Sequence, residues 1–440
     1  MSVSKETLAT ALDEARRRSL DLLAPLSPAD QTRQHSPLMS PLVWDLAHVG
    51  HYEELWLLRA VARAAPINTA HDDVYDAFRH PRRDRAALAI LGPSEARSHI
   101  ADVRDRVLDV LERVDLDPSA PLLSSGFVYG MVAQHEHQHD ETMLATLQLA
   151  HLDTPGGAYP QLAPAAPPGR LLAPAQHEVF IPGGPFVMGT DDEPFAYDNE
   201  RPAHTVDLGP FWIDRLPVTN AEYLRFVAAG GYDERRWWSE AGWAWRTEVG
   251  LGAPQYWHPE GDGAWSVRRL GGRVDLAPGE PVTHVCWYEA DAYARFAGKR
   301  LPTEAEWEKA ASWGPGAHCA ADKRLLPWGA GPPAPEVANL GQRHFGPAGA
   351  GAYPGGASAY GVEQLLGDVW EWTASDFSPY PGFVSFPYKE YSEVFYGSDY
   401  KVLRGGSWAT HPLAARTTFR NWDLPIRRQI FSGFRCARHG

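Results

Sequence analysis

Cysteine is scarce, with only Cys286, Cys319 and Cys436 in 440 residues. Three such widely spaced thiols make neither an even disulfide framework nor a paired CxxC metal knuckle, and they fit a reducing compartment. Long apolar runs are missing as well. No stretch approaches the span of a bilayer, and the N-terminus MSVSKETLATALDEARRRSL lacks an apolar core followed by a small-residue cleavage site. A soluble, cytoplasmic protein is the expectation. Basic charge is in deficit: 41 Lys and Arg stand against 55 Asp and Glu, for a formal net charge of -14. That balance gives nucleic acid or an anionic membrane no electrostatic reason to bind, so the expected partner is a small molecule.

What the chain does have is unevenly spread. The tryptophans, 17 in all, lie mostly beyond residue 210, and 40 Gly with 38 Pro interrupt regular structure throughout. At 440 residues the length exceeds what one hydrophobic core usually serves. The first 150 residues show apolar positions at three- and four-residue spacing, which predicts four helices at about 5–24, 41–64, 94–115 and 125–151. Helices of that length pack as a bundle whose interior can hold a metal on facing side chains. The pattern stops at TPGGAYPQLAPAAPPGRLLAPA, residues 154–175, which reads as an extended linker between domains at 1–153 and 176–440. Beyond it, short β-like runs (HEVFIPGG, PFVMGT, HTVDLGPFWIDRLPVT) and helices near 219–229 and 287–297 predict an α+β domain with many long loops. In KRLPTEAEWEKAA, Glu306 follows Thr303 by three residues, which predicts a helix entered through a capping box.

The fourth helix carries QHEHQHDE. His135 and His139, four residues apart, lie about 40° apart around a helix and can reach one ion. His137, roughly 200° from His135, cannot join them, and reads as a solvent-facing or supporting histidine. A third ligand must come from another helix, and WDLAHVGHYEELW on the second offers His48 or His51. His48 sits in the apolar stripe of Trp44, Leu46, Ala47 and Leu55, and is the preferred choice; His51 begins a charged segment. A lone histidine would more often be structural, but three converging on two helices point to a metal. Two metals compete. Residues 135–139 match HExxH, in which Glu136 would be the base of a zinc hydrolase, although the extended HxxGxxH pattern does not follow. A three-His site without a carboxylate suits zinc-bound water or an iron with open positions, and spacing does not choose between them.

Several motifs carry a family resemblance. LAHVGH and HxxxHxE (His135, His139, Glu141) resemble the DinB-like bundles. GGPFVMG, PVTNAEY, GKRLPTEAEWEKAA, LLGDVWEWT, RGGSW and GFRCAR resemble the formylglycine-generating-enzyme fold, related to C-type lectins. In this order, with SPLVWDLAH and DFSPYPGF, they resemble the sulfoxide synthases of ergothioneine biosynthesis. The resemblance implies a non-haem enzyme using iron(II) and dioxygen, with hercynine and γ-glutamylcysteine as substrates and His48, His135 and His139 as the iron ligands. It implies that Tyr380 is catalytic, through delivery of a proton in oxygen reduction. Gln138 would meet the trimethylammonium end of hercynine, and Asn421, Trp422 and Asp423 of the RNWD segment would also bind substrate. An RxxR pair, Arg82 and Arg85 in FRHPRRDR, would take the glutamyl carboxylate. Related folds also admit calcium near the equivalents of Asn339, Asp368 and Glu371. One departure counts against formylglycine chemistry: the two copper-binding cysteines are replaced here by Thr410 and Ala415. A zinc-dependent hydrolase or thiol transferase of the DinB-like or HExxH type is the alternative.

Overall fold

A computed structural model describes residues 3–150, 164–173, 176–270 and 272–440. The chain divides into two compact units, Met1–Asp153 with Asp192–Phe195, and Thr154–Asp191 with Ala196–Gly440. Of the stretch read as a linker, residues 154–163 and 174–175 lie outside the described residues. Residues 164–173 form no helix or strand, and Arg170 N donates to the Ala350 carbonyl at 2.9 Å.

The first unit is helical: α1 (Lys5–Leu23), α2 (Pro28–Thr32), α3 (Leu42–Glu53), α4 (His71–Val74), α5 (Pro93–Arg113) and α6 (Phe127–Leu149). The four long helices occupy the expected stretches because each buries an apolar stripe: Leu8, Leu12, Ala15 and Leu22 on α1, and Ala96, Ile100, Val103, Val107 and Leu111 on α5. Ser4 caps α1 by accepting from Thr7 N. α1 packs on α6, and α3 packs on α5 and on α6. At Gly50 a Cβ would come within 2.5 Å of Ile100 Cγ2, so glycine is what lets α3 and α5 approach. The second predicted helix departs from expectation midway. Its α-helical part ends at Glu53, and Glu54–Val61 winds as a π-helix, a geometry that frequently marks functional sites.

Inside the bundle, four charged side chains from four helices meet. Arg16 reaches Glu53 at 2.7 Å and Glu136 at 2.8 Å, while Arg104 reaches Glu53 at 2.6 Å and Glu136 at 3.5 Å. Burial pushes the Glu136 carboxyl up, but the Arg16 and Arg104 guanidiniums outweigh it and hold it below its ordinary range. This square fixes the mutual register of α1, α3, α5 and α6. Glu53→Ala leaves two buried guanidiniums to share the single carboxylate of Glu136 and is expected to destabilise the helical unit by about 3–5 kcal/mol. Denaturant unfolding followed by helical signal checks this, and a loss under about 1 kcal/mol contradicts it.

The second unit combines short strands, short helices and much irregular chain, the α+β arrangement expected. Its strands are β1 (Glu178–Ile181), β2 (Gly184–Met188), β3 (His204–Leu208), β4 (Phe211–Asp214), β5 (Trp257–Gly261), β6 (Ala264–Arg269), β7 (Gly272–Asp275), β8 (Trp370–Phe377), β9 (Gly397–Arg404), β10 (Asn421–Asp423), β11 (Ser432–Gly433) and β12 (Ala437–His439). They form sheets in the orders β1-β4-β12, β10-β9-β8-β11, β2-β3 and β5-β6-β7. The helices are α7 (Asn220–Ala228), α8 (Glu240–Val249), α9 (Trp287–Phe296) and α10 (Glu304–Ser312). α8 was not expected from the apolar spacing, since Gly242 is its only buried residue. α10 starts with the anticipated capping box, Thr303 accepting from Glu306 N and Glu306 accepting from Thr303 N. Its Trp307 enters a core with Ile181, Phe211, Ile213 and Leu365. No helix among the described residues is long and apolar enough to cross a membrane.

Candidate metal centre

α6 presents His135 and His139 one turn apart, and α3 presents His48 against them. Ring centroids are 5.1 Å apart for His48 and His135, and 4.6 Å for each of the other two pairs. Each ring offers a nitrogen, and the three lie within 4.8 Å of one another. The rings are held from behind. The His48 Nδ1 is 2.7 Å from the Tyr75 carbonyl oxygen, so Nδ1 carries the proton and Nε2 keeps its lone pair. The His139 Nδ1 lies 2.9 Å from Asp45 Oδ1, which selects the same tautomer and makes the ring a better donor. His135 stacks on Tyr52 at 3.7 Å and 14°, and its buried Nδ1 has no hydrogen-bond partner among the described residues.

Burial, reinforced by His139, holds both His48 and His135 well below the ordinary imidazole range. They are therefore neutral at pH 7, the form that binds a metal. Three imidazoles with no carboxylate among them fit a divalent transition metal that keeps open positions. Asp45 and Tyr75 were not foreseen. Asp45 had a signal, standing three residues before His48 on the same helix; Tyr75 acts through a backbone carbonyl, which no side-chain pattern announces. Asp45→Ala is expected to weaken metal affinity by about 10–100-fold in a chelator competition. Unchanged affinity would leave Asp45 a packing role only.

The other histidines of these segments lie elsewhere. His51 turns its Nε2 to within 3.6 Å of Asp72 Oδ1 and is not in the trio. His137 is not solvent-facing, contrary to one of its two expected roles: it is buried, with Nδ1 at 3.2 Å from Asp140 Oδ2, because α6 is covered on that face by α1. Glu136, the base that HExxH would require, is locked between Arg16, Arg104 and Ser19. Its carboxylate is committed to holding the bundle together, which removes the physical basis of that zinc reading.

Arg82 and Arg85 fall on one short 3₁₀ turn and both reach the segment 38–40. They differ in exposure. Arg82 is exposed, whereas Arg85 is buried. The Arg85 guanidinium lies 3.7 Å over the ring of Trp44, which in turn stacks on His48 at 4.7 Å. It donates to His80 O, Ser40 Oγ and Ala77 O, and no carboxylate among the described residues pairs with it. Burial lowers its pKa to about 10. A buried cation with no carboxylate paired directly to it is a ready place for an anionic group. Gln138 is half-buried on α6 beside His139.

The remaining expected residues belong to the second unit. Tyr380 is buried, its ring 4.2 Å from the Arg420 guanidinium and 4.6 Å from His204, and its hydroxyl has no hydrogen-bond partner among the described residues. Burial raises its pKa well above the ordinary phenol value, so the group is a protonated donor. β10 places Asn421, Trp422 and Asp423 in a half-buried row; Trp422 stacks on Phe377 at 4.2 Å, and Asp423 pairs with Arg427 at 3.4 Å. Around the suggested calcium position, Asp368 accepts from Asn339, Ala348 and Gln364, and Glu371 accepts from Trp307 and Arg435. These oxygens already meet N–H donors.

Comparison with known proteins adds to this geometry. Residues 11–143 match the DinB superfamily and residues 165–440 match the sulfatase-modifying factor enzyme 1-like domain. The hercynine oxygenase of Mycolicibacterium thermoresistibile is 51% identical over 438 residues, covering 98% of this chain and 94% of its own. The family is decided by that span. The chain belongs to the hercynine oxygenases. A second member, from Mycolicibacterium smegmatis, is 50% identical over 448 residues and covers 99% of both chains. The formylglycine-generating enzyme of Streptomyces coelicolor, 38% identical over 304 residues, covers 64% of this hercynine oxygenase family member and 95% of its own length. Two of the three cysteines here, Cys286 and Cys436, are buried, and Cys319 is exposed.

Proposed function

We propose that this chain is an iron(II)-dependent hercynine oxygenase that joins the sulfur of γ-glutamylcysteine to the imidazole carbon of hercynine and leaves the product as a sulfoxide. The near full-length identity to hercynine oxygenases supports the reaction class, and the three-histidine cluster is the single structural observation that carries it. The balance is simple. One C–H and one S–H are lost, a C–S bond forms, one oxygen atom of O2 stays on sulfur, and the other leaves as water with the two hydrogens. Iron(II) at His48, His135 and His139 would supply the redox change and the open positions that an imidazole, a thiolate and dioxygen require.

The chain's own residues do the rest. Asp45 and the Tyr75 carbonyl keep two of the imidazoles in the tautomer that points Nε2 inward. Tyr380, buried and protonated, is assigned the proton that oxygen reduction consumes. Gln138, Asn421, Trp422 and Asp423 are assigned to hercynine, with the Trp422 ring suited to a quaternary ammonium. The hydrogen-bonded carboxylates at Asp368 and Glu371 favour a structural role there without calcium.

Arg82 and Arg85 are assigned to the glutamyl carboxylate, a group that free cysteine does not place at that distance from sulfur. A charge-assisted hydrogen bond is worth roughly 1.5–3 kcal/mol, so Arg82→Ala should lower kcat/KM for γ-glutamylcysteine by on the order of tenfold to a hundredfold. Activity with cysteine should barely move. Arg85→Ala should cost more on both thiols, because Arg85 also braces Trp44 and the segment 38–40. Steady-state kinetics on both thiols, with Arg83→Ala as control, decides it; equal losses for the two thiols in Arg82→Ala would sink the assignment.

A further inference from the structure

Arg420 directly precedes β10 and is enclosed by the second unit, with 2% of its surface exposed. Its Nε and Nη2 clamp the Glu304 carboxylate at 2.7 and 2.9 Å, and Nη1 donates to the Asn199 carbonyl at 2.9 Å. Nη2 also donates to the Ser378 carbonyl at 2.9 Å, in the loop that leaves β8 two residues before Tyr380. The flat of the group meets aromatic rings. Its central carbon lies 4.2 Å from the Tyr380 centroid and 4.8 Å from that of Phe377, and Phe377 stacks on Trp422 at 4.2 Å. One cation therefore touches the assigned proton donor and, through Phe377, the ring assigned to hercynine.

The clamp on Glu304 does not neutralise the neighbourhood. Glu304 also meets Arg404 at 3.3 Å, Arg404 pairs with Glu308, and Glu308 meets Lys323 at 2.6 Å. In this group of five side chains Arg404, Arg420 and Lys323 share the two carboxylates of Glu304 and Glu308, so one positive charge is left over beside Tyr380. A phenol that gives up its proton inside a protein leaves a negative oxygen, which burial penalises and a nearby cation offsets. Burial is what raises the Tyr380 pKa, and among the influences that lower it Arg420 is the largest.

We propose that Arg420 is a positioning residue for the reaction. It anchors the Tyr380 loop through Ser378, and it offsets the negative charge left on the Tyr380 oxygen when the phenol delivers its proton. The proposal rests on the assignment of Tyr380 as that donor. The step moves one proton from the Tyr380 Oη to the oxygen being reduced, and no electrons. The phenolate is held by the guanidinium until solvent returns the proton after product release, and Arg420 keeps its own protons throughout.

The test reads the phenol directly. Fluorotyrosine replacing Tyr380 has a fluorine resonance of its own, and its pKa is titrated by fluorine NMR in the metal-free full-length chain. Arg420→Gln should raise that pKa by at least about 1, the effect of removing an opposite charge at this range. Loosened packing would expose the phenol and lower it instead. Arg420→Lys keeps the charge and loses the fork, so its pKa should stay nearer to the parent than to Arg420→Gln. Should Arg420→Gln not fold, Arg420→Gln combined with Glu304→Gln removes both buried charges and strands neither. Its pKa should still rise, because Arg420 acts on the phenol more strongly than Glu304 does. With iron and both substrates, Arg420→Gln should shift product from sulfoxide towards sulfinate, and Arg420→Lys should recover part of the sulfoxide. A phenol pKa that is unchanged or lowered without Arg420, or that is the same in the Lys and Gln variants, would overturn this proposal alone. An unchanged sulfoxide rate in Tyr380→Phe would overturn the donor assignment, and the catalytic role of Arg420 with it.

Discussion

Alanine at His48, His135 or His139 is expected to abolish stoichiometric iron binding and reduce hercynine-dependent oxygen uptake to background. Each removal takes one of three donors from a site that has no carboxylate to substitute, and two imidazoles do not hold a labile divalent ion against solvent. His137→Ala should retain iron, because its ring is turned to Asp140. Iron content per folded chain is the measure that separates the variants. Full iron in His48→Ala combined with loss in His51→Ala would show that the ligand from α3 has been misassigned.

Tyr380→Phe is expected to redirect the reaction. The hydroxyl makes no hydrogen bond among the described residues, and phenylalanine fills the same place against Arg420 and His204, so folding should be nearly unaffected. What disappears is a proton donor, and general acid catalysis is commonly worth 10²–10⁴-fold, so sulfoxide formation should fall by on the order of a hundredfold or more. Oxidation of the thiol to its sulfinate places both oxygen atoms on sulfur and releases no water. That branch needs no delivered proton and should take over. Separation of products by mass spectrometry reads the ratio, and an unchanged sulfoxide rate would leave Tyr380 a packing residue.

Much of the helical unit was legible because its signals are local. The four-residue spacing of His135 and His139 and the apolar stripe around His48 are properties of single helices, and packing of α3 on α6 then joins them. Asp45 was legible in principle on the same grounds. The π-helical turn was not, because an apolar stripe continues across Glu54–Val61 at nearly the same spacing while the hydrogen bonding beneath it changes. The burial of Arg85 was not legible, because only the tertiary fold shows its guanidinium folded inward over Trp44. The capping box of α10 was plain, whereas α8, with little buried face, carried no periodic signal at all. In the second unit, most of what was expected came from family resemblance, since the roles of Tyr380 and the RNWD segment are not written in spacing or charge.

The central claim is that the three-histidine cluster holds iron and that this iron couples a thiol to hercynine. The most direct measurement reconstitutes the metal-free chain separately with iron(II) and with zinc, then follows oxygen consumption and products with hercynine and γ-glutamylcysteine together and with each alone. One O2 is expected to be consumed per sulfoxide formed, with iron only, and only when both substrates are present. Turnover with zinc, or oxygen-independent consumption of the substrates, would contradict it.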